Sequence, residues 1–307
     1  MKLYIINHSF AYELENLTRA FFPNEKIRTV IDASSLEEPY VYTEVSSGKL
    51  TVKVCADGKV QEQTAFAKEN DDKELILATL LYNCLSKISG RTLPWGLLTG
   101  VRPIKLFRKL ADSESRENAE NYFKNTLLVS NEKLDLAKVT EANERKILEL
   151  SGKKSFSLYV SIPFCPSRCN YCSFVSQSVE KAKHLIKPYV DILVEEIKET
   201  AKIAKDLNLR LETVYIGGGT PSVLPLGAFG RVLAALGRSG FREFTVEVNP
   251  EDIVEKGVAY VEGLLGLGVN RISMGVQSLD DGILRFMNRR HSSSVAVEAY
   301  RLLEQAG

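Results

Sequence analysis

From Ser157 onward the chain repeats one unit, a short apolar run followed by a longer amphipathic one. That alternation limits the second half to parallel strands joined by helical crossovers, an α/β arrangement. The apolar runs are LYVSI at 158–162, TVYI at 213–216, FTVEV at 244–248 and RISMGV at 271–276. After the first run, Val190, Leu193, Val194, Ile197, Ala201 and Ala204 share one helical face behind Pro188, a residue suited to a first helical turn. Further helices are expected at 228–236, at 252–265 and in VAVEAYRLLEQAG at the end. Asn249 followed by Pro250, Glu251 and Asp252 reads as an N-cap with acidic residues in the first turn, and Ser278 with Asp281 reads as a capping box. About four such units fit before Gly307, and four parallel strands leave an unpaired edge. We expect a partial β/α barrel whose closing strands follow Gly307.

Ahead of it, residues 1–152 read as a smaller α+β domain, with the boundary at Ser151-Gly152-Lys153-Lys154 and the second domain over 153–307. LYII leads into a helix near 11–22. Two alternating runs, 40–45 and 49–55, flank Ser46-Ser47-Gly48 as a hairpin. An amphipathic helix is expected over 73–88, and 104–150 is mostly helical and charged. Lys plus Arg (40) nearly equal Asp plus Glu (39), so no overall field points to a nucleic-acid partner. No apolar run approaches membrane-spanning length, and the opening MKLYIINHSFAYELENL meets acidic residues too early for a secretory signal. A cytoplasmic protein is expected, monomeric and without a membrane partner.

Three of the five cysteines fall within eight residues, in SIPFCPSRCNYCSF, on a loop directly after a strand. In parallel β/α folds that is the end where sites are built. An odd count with two isolated members is no disulfide framework; Cys55 and Cys84 read as small buried hydrophobes. Thiolates at Cys165, Cys169 and Cys172 suit an iron–sulfur cluster, and three ligands for four irons leave one iron open. Structural zinc fits less well, because it takes four closed ligands and no second cysteine pair or adjacent histidine is present; His184 lies in a lysine-rich helical run.

The C-x-x-x-C-x-x-C spacing, with aromatic Tyr171 before the third cysteine, resembles the radical-SAM superfamily. Tyr159 to Cys165 resembles the Y-x-H-I-P-F-C opening of its oxygen-independent coproporphyrinogen III oxidase family, and Gly217 to Pro221 resembles that family's G-G-G-T-P motif. The segment Leu98-Thr99-Gly100-Val101-Arg102-Pro103 is similar to the extended N-terminal region of the HemZ branch. The resemblance implies a [4Fe-4S] cluster on the three cysteines and S-adenosylmethionine (SAM) in one or two copies. Gly218, Gly219, Thr220 and Glu247 would serve the first SAM, Gln277 and Arg289 the second, with Tyr159 and Tyr171 flanking cluster and adenine. It further implies a porphyrinogen substrate, an electron donor such as flavodoxin or ferredoxin, and oxidative decarboxylation of coproporphyrinogen III in haem biosynthesis. Two departures bear on substrate. Ser161 stands at the family's histidine, and Phe174 at a further cysteine of the decarboxylating members, a difference shared with the haem-chaperone members. Without the resemblance, the glycine run is an ordinary tight turn and Glu247 a salt-bridged strand residue.

Overall fold

The computed structural model describes residues 1–32, 35–100, 102–237 and 241–307. Val101 of the Leu98–Pro103 segment therefore lies outside the described residues. The chain divides into two compact units, Met1–Glu149 and Leu150–Gly307.

In the first unit, β1 (Lys2–Ile6), β2 (Arg28–Val30), β3 (Tyr40–Ser46), β4 (Lys49–Ala56) and β5 (Lys59–Phe66) form a sheet of order β2-β1-β3-β4-β5. Here β1 runs parallel to both neighbours, and β3, β4 and β5 are antiparallel. Leu3, Ile5, Val41, Leu50, Val52 and Val54 bury one sheet face against Leu14, Leu17 and Phe21 of α1 (Ala11–Phe21) and Leu77, Leu81 and Leu85 of α2 (Lys73–Ser89). The start of α2 is capped by Asp72, which accepts from the Leu75 amide at 3.0 Å, and its end by Gly90 in the left-handed region (φ 66°). The strand β5 is unexpected, because an edge strand with few apolar residues carries no alternating pattern. The unit closes with α3 (Pro103–Ser113), α4 (Arg116–Asn121), a π-helical turn at Tyr122–Thr126 and α5 (Asn131–Leu148), packed around Phe107 and Phe123.

In the second unit, β6 (Ser155–Ile162) is followed by β7 (Phe164–Cys165) and β8 (Gln177–Ser178), which pair with each other across the cysteine loop. Then come α6 (Val179–Asp206), β9 (Arg210–Gly218), α7 (Leu226–Leu236), β10 (Glu243–Val248), α8 (Pro250–Gly266), β11 (Arg271–Met274), α9 (Asp281–Phe286) and α10 (Ser293–Ala306). The main sheet has order β11-β10-β9-β6, every pair parallel. Strand order follows chain order without reversal, as in a barrel wall rather than a doubly wound sheet.

Register sorts the side chains into two faces. Val160, Ile162, Val214, Ile216, Phe244, Val246 and Val248 point into the helical layer and are buried. Tyr159, Ser161, Tyr215, Gly217, Thr245, Glu247 and Ser273 share the opposite face, because each stands one residue out of phase. Parallel strands covered on both sides are apolar throughout; here one face is polar, and that is where Glu247 stands. A register shift at Phe156/Ser157 makes Glu212 the extra residue of β9. Its carboxylate accepts from Ser151 (2.7 Å) and Ser155 (2.8 Å) and pairs with Arg210 and Arg242, which holds its pKa down at about 2.

Two local expectations are corrected. Pro188 sits inside α6 rather than at its start; the carbonyl of His184 that it deprives of a donor lies on an exposed residue, where water can replace it. The cap of α9 is Asp280, which accepts from Ile283 N at 2.9 Å, while the Ser278 hydroxyl accepts from Asp280 N at 3.0 Å. Asn249 does cap α8, accepting from Glu251 N at 3.3 Å with Pro250 at the first helical position. No helix among the described residues is long and apolar enough to cross a membrane.

Candidate cofactor site at the strand ends

The carboxyl ends of β6, β9, β10 and β11 and the cysteine loop surround a cavity of about 390 Å³. Cys165, Cys169, Tyr171, Cys172, Gly218, Gly219, Thr220, Glu247, Gln277 and Arg289 all line it. Tyr159 does not. It points from the polar sheet face and stacks on Tyr215, centroids 5.7 Å apart, which sets it behind Glu247 instead of on the cavity wall.

The cysteine loop is fastened at both ends. Pro163 O accepts from Gln177 N at 2.8 Å, and Cys169 O accepts from Cys172 N at 3.1 Å. Across the cavity, the Asn170 amide group donates to Phe286 O (2.6 Å), its backbone N–H donates to Met287 O (3.2 Å), and the Asn288 side chain donates to Arg168 O (2.7 Å). Arg289 spans the gap, donating to Cys169 Sγ at 3.3 Å and Gly275 O at 2.8 Å, and its Nε is buried without a partner. Burial, with Cys169 alongside, raises the pKa of the Tyr171 phenol.

The glycine turn meets this loop so closely that side chains are excluded. A Cβ on Gly219 would stand 2.7 Å from Phe164 O and 2.9 Å from Cys165 Sγ. Gly218 takes φ 106°, where a side chain is strained as well as crowded by Ser161 Oγ. The Gly219 and Thr220 amides are spent on Ile162 O and Phe164 O, both at 2.8 Å. What the turn can still offer a ligand is carbonyl oxygen, which suits an ammonium group.

Glu247 Oε1 accepts from Tyr215 Oη at 2.7 Å. Its partner is thus a phenol, and among the described residues no lysine or arginine forms an ion pair with it. An uncompensated, half-buried carboxylate on a cavity wall favours a cationic ligand. The pKa of Tyr215 is raised by burial first and by this bond second, with a Ser273 hydrogen bond pulling the other way. Gln277 is in the left-handed region at φ 65°, uncommon for a residue with a side chain. The Ser278 N–H bond to Val276 O at 2.8 Å and the buried His291, with Nε2 3.1 Å from the same carbonyl, hold that turn.

Among the described residues, no three His, Cys, Asp or Glu side chains converge on a point that could hold a single metal ion. Three thiolates spread around one cavity instead fit a cluster, in which each binds a different iron. The sequence reading missed Tyr215 and Ser273. Their strand parity with Glu247 was the available signal, but it becomes usable only once the pairing register is known.

A parallel sheet that gathers three loop thiolates, a glycine turn and a carboxylate at its strand ends defines an α/β domain whose cavity suits a thiolate-held cluster and a cationic ligand. Residues 159–307 match the profile of the Radical SAM superfamily, and this part of the chain is similar to a radical SAM domain. Among curated relatives, the chain is similar to the oxygen-independent coproporphyrinogen-III oxidase-like protein HemZ of Bacillus subtilis, at 29% identity over 81% of this chain and 52% of the relative. It is also similar to the heme chaperone HemW of Lactococcus lactis (36% identity, 50% of this chain, 39% of the relative). A third relative is the oxygen-independent coproporphyrinogen III oxidase of Bradyrhizobium diazoefficiens (34%, 53% and 36%). The chain thus spans about half of the first relative's length and less of the others. Among solved structures, the coproporphyrinogen III oxidase HemN of Escherichia coli matches at 28% identity and TM-score 0.44 over 50% of this chain and 35% of that one.

Proposed function

We propose that Cys165, Cys169 and Cys172 hold a [4Fe-4S] cluster, and that SAM binds beside it against Gly218, Gly219, Thr220 and Glu247. On this reading the protein is a radical-SAM oxidoreductase that decarboxylates coproporphyrinogen III, with flavodoxin or ferredoxin supplying electrons. The observation that carries it is the contact between Gly219 and Cys165, which brings the cysteine loop and the glycine turn to one cavity. A bound, reduced cluster supplies one electron to SAM and, through it, hydrogen-atom abstraction. The chain's own groups bind and orient: Glu247 and the turn carbonyls receive the ammonium of SAM, and the cation of Arg289 suits a carboxylate. Each reacting propionate would give a hydrogen atom to the 5′-deoxyadenosyl part of SAM, release carbon dioxide and pass one electron to an external one-electron acceptor, leaving a vinyl group.

A haem chaperone on the same scaffold is the second reading, favoured by Phe174 on the cavity wall and by the similarity to HemW. Anaerobic reconstitution with iron and sulfide analysis and EPR tests the cluster: the wild type should load it, and full loading of a Cys165→Ala/Cys169→Ala/Cys172→Ala variant would end the proposal. An assay following 5′-deoxyadenosine and protoporphyrinogen separates the two activities. Tight haem binding with no product selects the chaperone.

A further inference from the structure

The last residue of the glycine run, Ser222, has no exposed surface. Its hydroxyl accepts from the Asn249 amide at 3.1 Å and donates to the buried carboxylate of Asp252 at 2.5 Å. Asn249 is the N-cap of α8 and Asp252 its third helical residue. In an ordinary capping box the side chain at that third position reaches back to the N-cap amide itself. Asn249 already caps α8 directly through Glu251 N, and Ser222, in the 3-10 turn Pro221–Val223 that follows the glycine turn, is inserted between the Asn249 amide and Asp252 as a second link. Because Asn249 lies two residues past Glu247, one hydroxyl fixes the exit of the turn relative to the end of the strand that carries the carboxylate.

The same helix holds the next stretch of chain. The Lys256 ammonium donates to Ser222 O and to Leu224 O (3.2 Å for the latter), and Tyr260 Oη donates to Leu224 O at 3.1 Å. The ammonium also lies 4.4 Å from the centroid of the Tyr260 ring. Asp252 and Lys256 are opposite charges one helical turn apart. Burial disfavours the charged form of both, raising the pKa of one and lowering that of the other. A stabilising core alone would be as well served by apolar residues, whereas each of these groups reaches a specific atom of Pro221–Leu224, the stretch that follows the glycine turn.

We propose that Asp252, acting through Ser222, is a positioning residue that locks the Gly217–Thr220 turn at the distance from Glu247 that ligand binding requires. The inference rests on the SAM reading of the cavity. The lock itself has a readout independent of any ligand, because the Gly219 and Thr220 amides are bonded across to Ile162 and Phe164 and report whether the turn stays docked.

The test compares the full chain with Asp252→Ala and Asp252→Asn. Measurements are iron content after reconstitution, SAM affinity by equilibrium dialysis, and deuterium exchange of the peptide containing Gly219 and Thr220. Asp252→Ala should keep its iron, bind SAM about tenfold more weakly, the loss of one charge-assisted hydrogen bond, and exchange the turn amides faster. Asp252→Asn, whose amide oxygen can still accept from Ser222, should stay within about twofold of wild type. Wild-type affinity and exchange in Asp252→Ala would overturn the proposal, as would equal damage in both variants. Should Asp252→Ala not fold, Tyr260→Phe removes the hydroxyl that donates to Leu224 O (3.1 Å) and Ser222 O (3.4 Å). Faster exchange of the turn amides would support the lock, and unchanged exchange would overturn it. If the wild type binds no SAM, the functional reading fails and exchange alone judges the lock.

Discussion

Replacing Gly219 with alanine adds one methyl group at the point where the glycine turn meets the cysteine loop. Its Cβ would lie 2.7 Å from Phe164 O, 2.9 Å from Ile162 O and 2.9 Å from Cys165 Sγ. Two of these atoms are backbone of β6 and its continuation, so relief by a side-chain rotation is not open to them. The turn and the loop must separate by roughly half an ångström or more to restore ordinary contact. Overpacking of this kind costs about 1–3 kcal/mol, and in a unit of this size each kcal/mol lowers Tm by about 2–4 °C. The displaced atoms include a thiolate proposed to hold iron, so cluster content should fall along with stability. Gly217→Ala is the control. Its Cβ would meet Tyr215 Cε1, Tyr159 Oη and Glu247 Oε2 at 2.8–3.0 Å, all side-chain atoms and none of them from the cysteine loop. That variant should load iron normally and lose SAM affinity. The assay is iron and sulfide per chain after anaerobic reconstitution, alongside thermal unfolding. Full iron with an unchanged Tm in Gly219→Ala would refute the argument from steric exclusion.

Tyr215→Phe deletes the hydroxyl bonded to Glu247 at 2.7 Å, leaving a half-buried carboxylate oxygen short of a donor. Iron content should be unchanged while SAM binding weakens by about tenfold, the scale of one hydrogen bond to a charged group, as read by equilibrium dialysis. Glu212 should contribute to acid stability. Its pKa drops from the ordinary 4.5 to about 2 in the folded chain, so its contribution is complete above pH 4.5 and fades as pH falls toward 2. Urea unfolding across that window should show a steeper loss in wild type than in Glu212→Gln, and parallel curves would contradict the assignment.

The β/α series of the second unit was legible because each strand and helix announces itself locally. Apolar runs such as FTVEV alternate with amphipathic stretches, and Asn249-Pro250 marks a helix start. Where local signals compete, the reading slipped. Pro188 resembles a helix opener, yet the apolar face continues on its N-terminal side through the buried Ala182. Ser278 and Asp280 are both plausible caps, and only the backbone decides between them. In β5 the edge position demands little burial, so no period-two apolar pattern marks it. The cysteines were visible from their spacing, and Arg289, 120 residues from Cys169, only through the family resemblance. The register that sets Tyr215 beside Glu247 was not legible at all, because the sequence carries nothing of strand pairing.

The fastening of the cysteine loop also orders events in time. Its contacts to Phe286, Met287 and Asn288 come from residues 116 to 120 positions later in the chain. At translation rates of about 5–20 residues per second, that interval lasts roughly 6–24 s. In the later part of it, once β9 (Arg210–Gly218) has been made, the strand that leads into the loop can pair with β9, while the three thiols wait without the segment that fixes the loop. A nascent chain therefore passes through a stage in which the three loop thiols are exposed to oxidants and to competing metal ions. Delivery of iron before the α9 segment emerges would meet a loop not yet shaped to retain it.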